Sequence, residues 1–343
     1  IVVVADLGMV TYELNPRMPR RFFDPPPAAS QFPKDRGDFR IFHEADWYGQ
    51  EEIARTYFST GSSVYWVVRN GLFPMTTAGV RLRGVIERDY DKTALLPTID
   101  LTDSVWDVKR SGRGDWAEPF MAMSNAWYHG VYQPFADERK RVKGDFTKSL
   151  PVRFNEGTHW PRYYFSDQLV TIHDRADFAK KLSDGSYSRK VAFVARPTFV
   201  PARGVVYRAV ETNNTAVLDV ESFGQGFLVM SVTPHKYWRI EVTDAGGTAS
   251  HRVPAITTNV GYQGIVVTPG RHIVRMVYRN ELVIVGTIIS LIATLALLFL
   301  AIRGRHPHVR PGLPAYEEAV HVVEDAAGVH AEAVSEKPAS DSP

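Results

Sequence analysis

Apolar and polar positions change pattern twice along this chain. From Val205 onward, short runs with a period of two alternate with turn residues. They predict seven strands, at 206–211, 216–222, 227–233, 237–243, 251–258, 262–268 and 272–278. The breaks hold Asn213-Asn214, Gly224-Gln225-Gly226, Thr233-Pro234, Asp244-Ala245-Gly246-Gly247 and Thr268-Pro269-Gly270, all residues that accommodate turn geometry. Strands of this length and spacing predict a small antiparallel β-sandwich over residues 203–280. The alternation points Leu228, Met230, Trp238 and Ile240 into its core.

The second change is abrupt. Leu282 to Ile302 is 21 residues without a charge, and 14 of them are Leu, Ile, Val or Phe. At ~1.5 Å per residue this run spans ~31 Å, the thickness of a bilayer hydrocarbon core. Its large apolar side chains favour insertion by roughly 4 to 8 kcal/mol. The run therefore predicts one transmembrane helix at 282–302. Arg303, Arg305 and Arg310 follow it directly, and a cytoplasmic flank carries such an excess of Lys and Arg. This places the expected 303–343 tail, acidic and disordered in composition, in the cytoplasm and the main domain outside it.

Upstream the signals are mixed. Ile1-Val2-Val3-Val4-Ala5 resembles the last turns of a truncated transmembrane helix, expected over residues 1–8. Asn15 to Pro33 holds six Pro, so residues 9–37 read as an extended spacer. Residues 38–202 predict a mixed α/β domain, with a strand at 39–42, a helix at 50–58 and a buried strand at 191–194. A helix is expected over 171–182, with Asp174 as its cap and Phe178 and Leu182 on one face. Residues 120–132 are the most apolar part of the domain and predict core. The expected fold class is α+β: a mixed α/β extracytoplasmic region, a small antiparallel β-sandwich, then one transmembrane helix.

Composition narrows the chemistry. The 40 Lys+Arg against 38 Asp+Glu are too balanced for an electrostatic nucleic-acid binder. Without Cys there are no disulfides, thiolate nucleophiles or Cys-type metal sites. Dinucleotide, P-loop and nucleophile-elbow motifs are absent. His43-Glu44 begins a zinc-protease motif, but Trp47 stands where the second His belongs. His306 and His308 read as part of the basic flank, so no metal and no cofactor is expected.

Asp100, Asp103 and Asp107 share one face of a predicted helix, suited to acid–base work or, more simply, to a solvated face. Asp115 and Glu118 form a second such pair. Glu44-Ala45-Asp46-Trp47-Tyr48 mixes acids with aromatic rings as sugar-binding sites do. Trp160-Pro161-Arg162-Tyr163-Tyr164 offers a guanidinium beside rings, or a packed strand start in which Arg162 makes a structural pair. The candidate substrate-binding residues are therefore Trp47, Tyr48 and Arg162, and no catalytic residue is assigned.

Several blocks, in order, carry a resemblance. They are the opening Ala5-Asp6-Leu7-Gly8 with Asn15-Pro16 and Pro25-Pro26-Pro27, then Phe39-Arg40-Ile41-Phe42, and the stretch 123–132. The block 161–194 and the stretch 227–286, with its His235-Lys236-Tyr237-Trp238 turn and Pro269-Gly270-Arg271-His272 turn, complete the series. Together they resemble YfhO-type bacterial membrane proteins over residues 5–302. The match departs at Thr233-Pro234, which lacks the family's Gly before Trp, at a turn over 243–247 that is one residue longer, and at Asn280.

The resemblance implies a multi-pass glycosyltransferase-like protein of the bacterial cytoplasmic membrane. It would use a polyprenyl-phosphate-linked sugar and act on a cell-envelope polymer. The family's proposed catalytic carboxylate lies in an early loop with no counterpart in these residues. The expected function is the C-terminal extracytoplasmic portion of such an enzyme, not catalytic by itself. A membrane-anchored carbohydrate-binding module and a purely structural or assembly domain are the alternatives. The lipid bilayer is the expected partner in each case.

Overall fold

The computed structural model describes residues 20–33, 39–44, 68–73, 76–77, 82–87, 94–132, 152–185 and 190–303. Trp47, Tyr48 and the helix expected at 50–58 lie outside the described residues, as do residues 1–19 and 304–343. The chain is mixed α+β, with several antiparallel sheets and one C-terminal apolar helix. It forms two units, residues 1–279 and 280–343.

A mixed sheet opens the first unit. β1 (Arg40–His43) lies between β2 (Arg83–Val85) and β3 (Ala126–Tyr132), parallel to both, and β4 (Val152–Glu156) pairs antiparallel with β3. Every residue of β1 is buried, as expected for a central strand covered on both faces. Ile41 packs with Phe32, Phe39, Tyr128 and Phe154 in one core, and Phe42 enters another.

The Pro-rich stretch differs from the expected extended spacer. Its described part forms two 3-10 turns, Arg20–Phe23 and Pro27–Gln31, and buries Ala28, Ala29 and Phe32. Pro27 fits the first position of such a turn, where no backbone N–H is needed. The Phe32 ring lies 4.9 Å from that of Phe154 and 5.0 Å from that of Tyr128. Removing these rings from water holds the segment down.

Two sheets follow. One has the order β13-β14-β10-β5, from Ile256–Thr258, Tyr262–Val267, Gly226–Met230 and Tyr163–Phe165. The other has the order β12-β11-β15-β9-β8, from Ser250–Arg252, Trp238–Asp244, Gly270–Tyr278, Thr215–Ser222 and Gly204–Glu211. All their pairings are antiparallel. Leu228, Met230 and Ile265 of the first sheet share a core with Leu218, Val220, Ile240, Val242, Val274 and Met276 of the second. Leu228, Met230 and Ile240 are buried as the alternation predicts, whereas Trp238 is only partly buried at the edge of this core.

The run expected as one strand at 251–258 is two strands in different sheets. Pro254 lies between them and has no N–H to donate to a ladder. The opposite face of the first sheet carries Tyr164, Phe227, Val229 and Tyr262. These pack with α1 (Leu96–Arg110), α2 (Glu118–Met123), α3 (Arg175–Ser183) and β7 (Val191–Val194). β7 pairs in parallel with β6 (Gln168–Thr171) across α3. Asp174 caps α3 by accepting from the Asp177 N–H at 2.8 Å.

The second unit holds α4 (Glu281–Arg303), which carries no buried residue. It is the one helix among the described residues long and apolar enough to cross a membrane. Asn280 Oδ1 accepts from the N–H groups of Leu282 and Val283, at 3.1 and 3.4 Å. The Thr287 and Thr294 hydroxyls donate to the carbonyls of Val283 and Ser290, both at 2.8 Å. Both threonine hydroxyls are thus satisfied within the helix.

Candidate functional site

Strand ends from all three large sheets, together with the first turn of α1, surround a cavity of about 700 Å³. Arg40 and Arg83 are register partners at the starts of β1 and β2. Arg162 directly precedes β5, and Glu211 ends β8. Trp238 and Tyr278 face each other at the ends of β11 and β15. Thr98, Asn213, Asn214 and Thr233 add hydroxyl and amide groups to the wall.

Charge is the distinguishing property of this cavity. Glu211, its side chain 7% exposed, accepts from Arg162 Nη1 at 2.8 Å and from Arg83 Nη1 at 3.2 Å. The Tyr163 hydroxyl donates to its other oxygen. One carboxylate thus serves two guanidinium groups, and Arg40 is a third.

Arg40 is buried, and its Nη1 donates to the carbonyls of Ser231 at 2.9 Å and Ser124 at 3.2 Å. Burial, reinforced by the charge of Arg162, lowers its pKa to about 10, so it stays protonated at neutral pH. The Ser231 hydroxyl donates to the Met123 carbonyl at 2.7 Å, and the Ser231 N–H to the Arg162 carbonyl at 2.9 Å. These bonds fix the backbone around both arginines. Tyr262 donates to Ser124 Oγ at 2.5 Å, and burial pushes its pKa up, so it remains a neutral donor.

Aromatic rings form one rim. The Trp238 and Tyr278 rings meet edge to face at 5.2 Å, and His235 lies 5.4 Å from Tyr278. A second cavity, of about 460 Å³, is lined by Trp127, Tyr207 and Lys190 and shares Arg162 and Glu211 with the first. The Trp127 ring stacks on His159 at 4.3 Å.

Of the three residues singled out from the sequence, Arg162 lines both cavities, and Trp47 and Tyr48 lie outside the described residues. Sequence reasoning missed Arg40, Arg83, Glu211 and Trp238 as cavity residues. A signal existed for two of them. Arg40 in Phe39-Arg40-Ile41-Phe42 and Arg83 in Leu82-Arg83-Gly84-Val85 are cations set against short apolar runs. A cation in that position is either buried with a purpose or marks an edge.

The acidic groups went elsewhere. Asp103 and Asp107 of α1 pair with Arg175 of α3, and Asp107 also with Arg110, so this face is a helix–helix junction. Asp115 is held below the usual carboxylate range by its bond to Arg113. Asp115 and Glu118 border a third cavity with Glu44, Glu156 and His129. Among the described residues no group of three His, Asp or Glu is placed to hold a metal ion.

The chain matches no protein family, no curated protein and no solved structure.

Proposed function

We propose that this chain is the extracytoplasmic, ligand-binding portion of a glycosyltransferase-like protein of the bacterial cytoplasmic membrane. In this reading α4 is the tether, and the two facing sheets form a sandwich domain outside the cytoplasm. The cavity holds the acceptor, a hydroxyl-rich cell-envelope polymer. The sugar arrives on polyprenyl phosphate, and the carboxylate that activates the acceptor hydroxyl belongs to another part of the full-length protein.

One observation carries the proposal. A cavity of about 700 Å³ combines arginines, amide and hydroxyl groups and a Trp238–Tyr278 rim. That volume suits a ligand of several sugar units' bulk, and such a mixture of rings and hydrogen-bonding groups suits a polyhydroxylated one. Support for the tether comes from the uncharged run of α4 and the basic residues after it.

Sugar transfer from a polyprenyl-phosphate donor tests the reading. Full-length protein carrying Trp238→Ala should show a raised KM for the acceptor with kcat little changed, the pattern of lost ground-state binding. An unchanged KM removes the cavity from the acceptor site. Turnover by residues 1–343 alone overturns the division of labour. The alternative is an anchored carbohydrate-binding module without transfer. Glycan binding by a full-length protein inactive in transfer would select that alternative.

A further inference from the structure

Arg40 is the least explained group in the cavity. A guanidinium carries five N–H donors. Among the described residues, Arg40 makes two hydrogen bonds, both through Nη1 and both to carbonyls, and no ion pair. Glu211, the one carboxylate among the described lining residues, already accepts from Arg162, Arg83 and Tyr163. A buried cation with no carboxylate paired to it directly among the described residues is costly to the fold, with Glu211 acting on it only at a distance, and here it faces a cavity rather than packed protein.

Three further features give the cavity the same sign. Arg40 and Arg83 are held side by side by strand register, and Arg162 lines the same space. The wall includes Leu95, Thr98 and Leu101 from the first turns of α1. Among the described residues that helix has no acidic residue in its first turn and no side-chain cap, so its positive end adds to the field of the arginines. Apolar neighbours Val85, Ile86 and Leu101 lower the dielectric around the buried Arg40, while Arg83, at the outer side, stays open to solvent.

We propose that this cavity binds a phosphate group carried on a polyhydroxylated ligand, with Arg40 as the buried anchor and Arg162 and Arg83 closing on it. The proposal rests on reading the cavity as the binding site, and adds the charge of what it binds. A planar guanidinium matches two phosphate oxygens at once, and three of them suit a tetrahedral anion with oxygens on every side better than a flat carboxylate. Thr98, Thr233 and Asn214 are then available to the hydroxyl-bearing remainder. The phosphate belongs either to a polymer's phosphodiester or to a lipid phosphate, and the shared chemistry is the anion.

Isothermal titration of the whole chain in detergent tests this, with inorganic phosphate, glycerol 3-phosphate, glucuronate and an uncharged oligosaccharide as probes. Phosphate and glycerol 3-phosphate should bind, with glucuronate at least about ten-fold weaker. R83Q and R162Q should each weaken phosphate binding about ten-fold, the loss of one charge-assisted contact. R40M should abolish it. If R40M fails to fold, the two other variants decide, each first shown by melting to be folded.

A glycerol-phosphate trimer and polyprenyl phosphate in nanodiscs then separate polymer from lipid as the source. Phosphate affinity unchanged in folded R83Q and R162Q overturns the proposal. So does glucuronate binding as tightly as phosphate. Binding of the uncharged oligosaccharide without phosphate retains the glycan site and removes the anion site, and binding of no probe removes both.

Discussion

Glu211→Gln isolates the electrostatics of the cavity while keeping its shape. The carboxylate accepts from Arg162 at 2.8 Å, from Arg83 at 3.2 Å and from the Tyr163 hydroxyl. A hydrogen bond to a charged group contributes about 1.5–3 kcal/mol and a neutral one about 0.5–1.5 kcal/mol. In the variant the Arg162 bond keeps a charged donor and weakens by roughly 0.5–1 kcal/mol, while the amide NH2 can no longer accept from the Tyr163 hydroxyl, a further loss of about 0.5–1.5 kcal/mol. The Arg83 bond contributes less, because its side chain is 45% exposed and solvent screens it. Repulsion among Arg40, Arg83 and Arg162, no longer offset, adds on the order of 1–2 kcal/mol.

The expected loss is about 2–4 kcal/mol, close to what breaking a buried pair costs. For a protein of this size that lowers Tm by about 5–15 °C. The assay is thermal unfolding of the whole chain with and without inorganic phosphate. Phosphate should raise the Tm of the variant more than that of the parent, since the anion replaces the missing charge. A variant melting within about 2 °C of the parent would refute the ion-pair reasoning. An equal phosphate shift in both proteins would refute the cationic character of the cavity.

Three other outcomes follow from the structure. His43 donates through Nε2 to the Gly71 carbonyl at 3.1 Å, and burial lowers its pKa from 6.5 to about 4. The unfolded chain therefore takes up this proton first. Stability is full above about pH 6.5 and falls by up to about 3 kcal/mol towards pH 4. Urea titrations at pH 7 and 4.5 should show that slope, and His43→Gln should flatten it; an unchanged slope assigns it elsewhere. A Cβ at Gly261 would lie 2.7 Å from Leu101 Cβ and 3.0 Å from the Pro97 carbonyl, so Gly261→Ala must push α1 away. Denaturant unfolding should register a loss of about 1–3 kcal/mol, and a neutral result would show that α1 moves freely there. For topology, a maleimide that cannot cross membranes should label Ser250→Cys, on an exposed strand, in intact cells and spare Ser342→Cys. The reverse pattern would invert the proposed orientation.

Local pattern carried much of the secondary structure. Alternation and turn residues located most strands between 204 and 278, because the period of two survives wherever one face is buried, but merged β12 and β13 into one. The uncharged run from Leu282 to Ile302 announced α4, since length and apolarity alone make a helix able to span a bilayer. Asp174 was legible as a cap because capping acts within one turn of chain.

Tertiary structure decided what lies beside what. Tyr163–Phe165, far upstream of the predicted sandwich, supplies a strand that pairs with β10. Asp103 and Asp107 look like an acid cluster in isolation, and Arg175 on another helix turns them into a junction. The cavity is the clearest case. Arg40, Arg83, Arg162 and Glu211 are scattered across the chain, and strand register and sheet order bring them together. Periodicity tells which face of an element is apolar, and an Arg beside an apolar run marks either a buried charge, as at Arg40, or an edge, as at Arg83. Neither encodes the neighbour across a sheet edge, because that pairing is chosen by packing over the whole core.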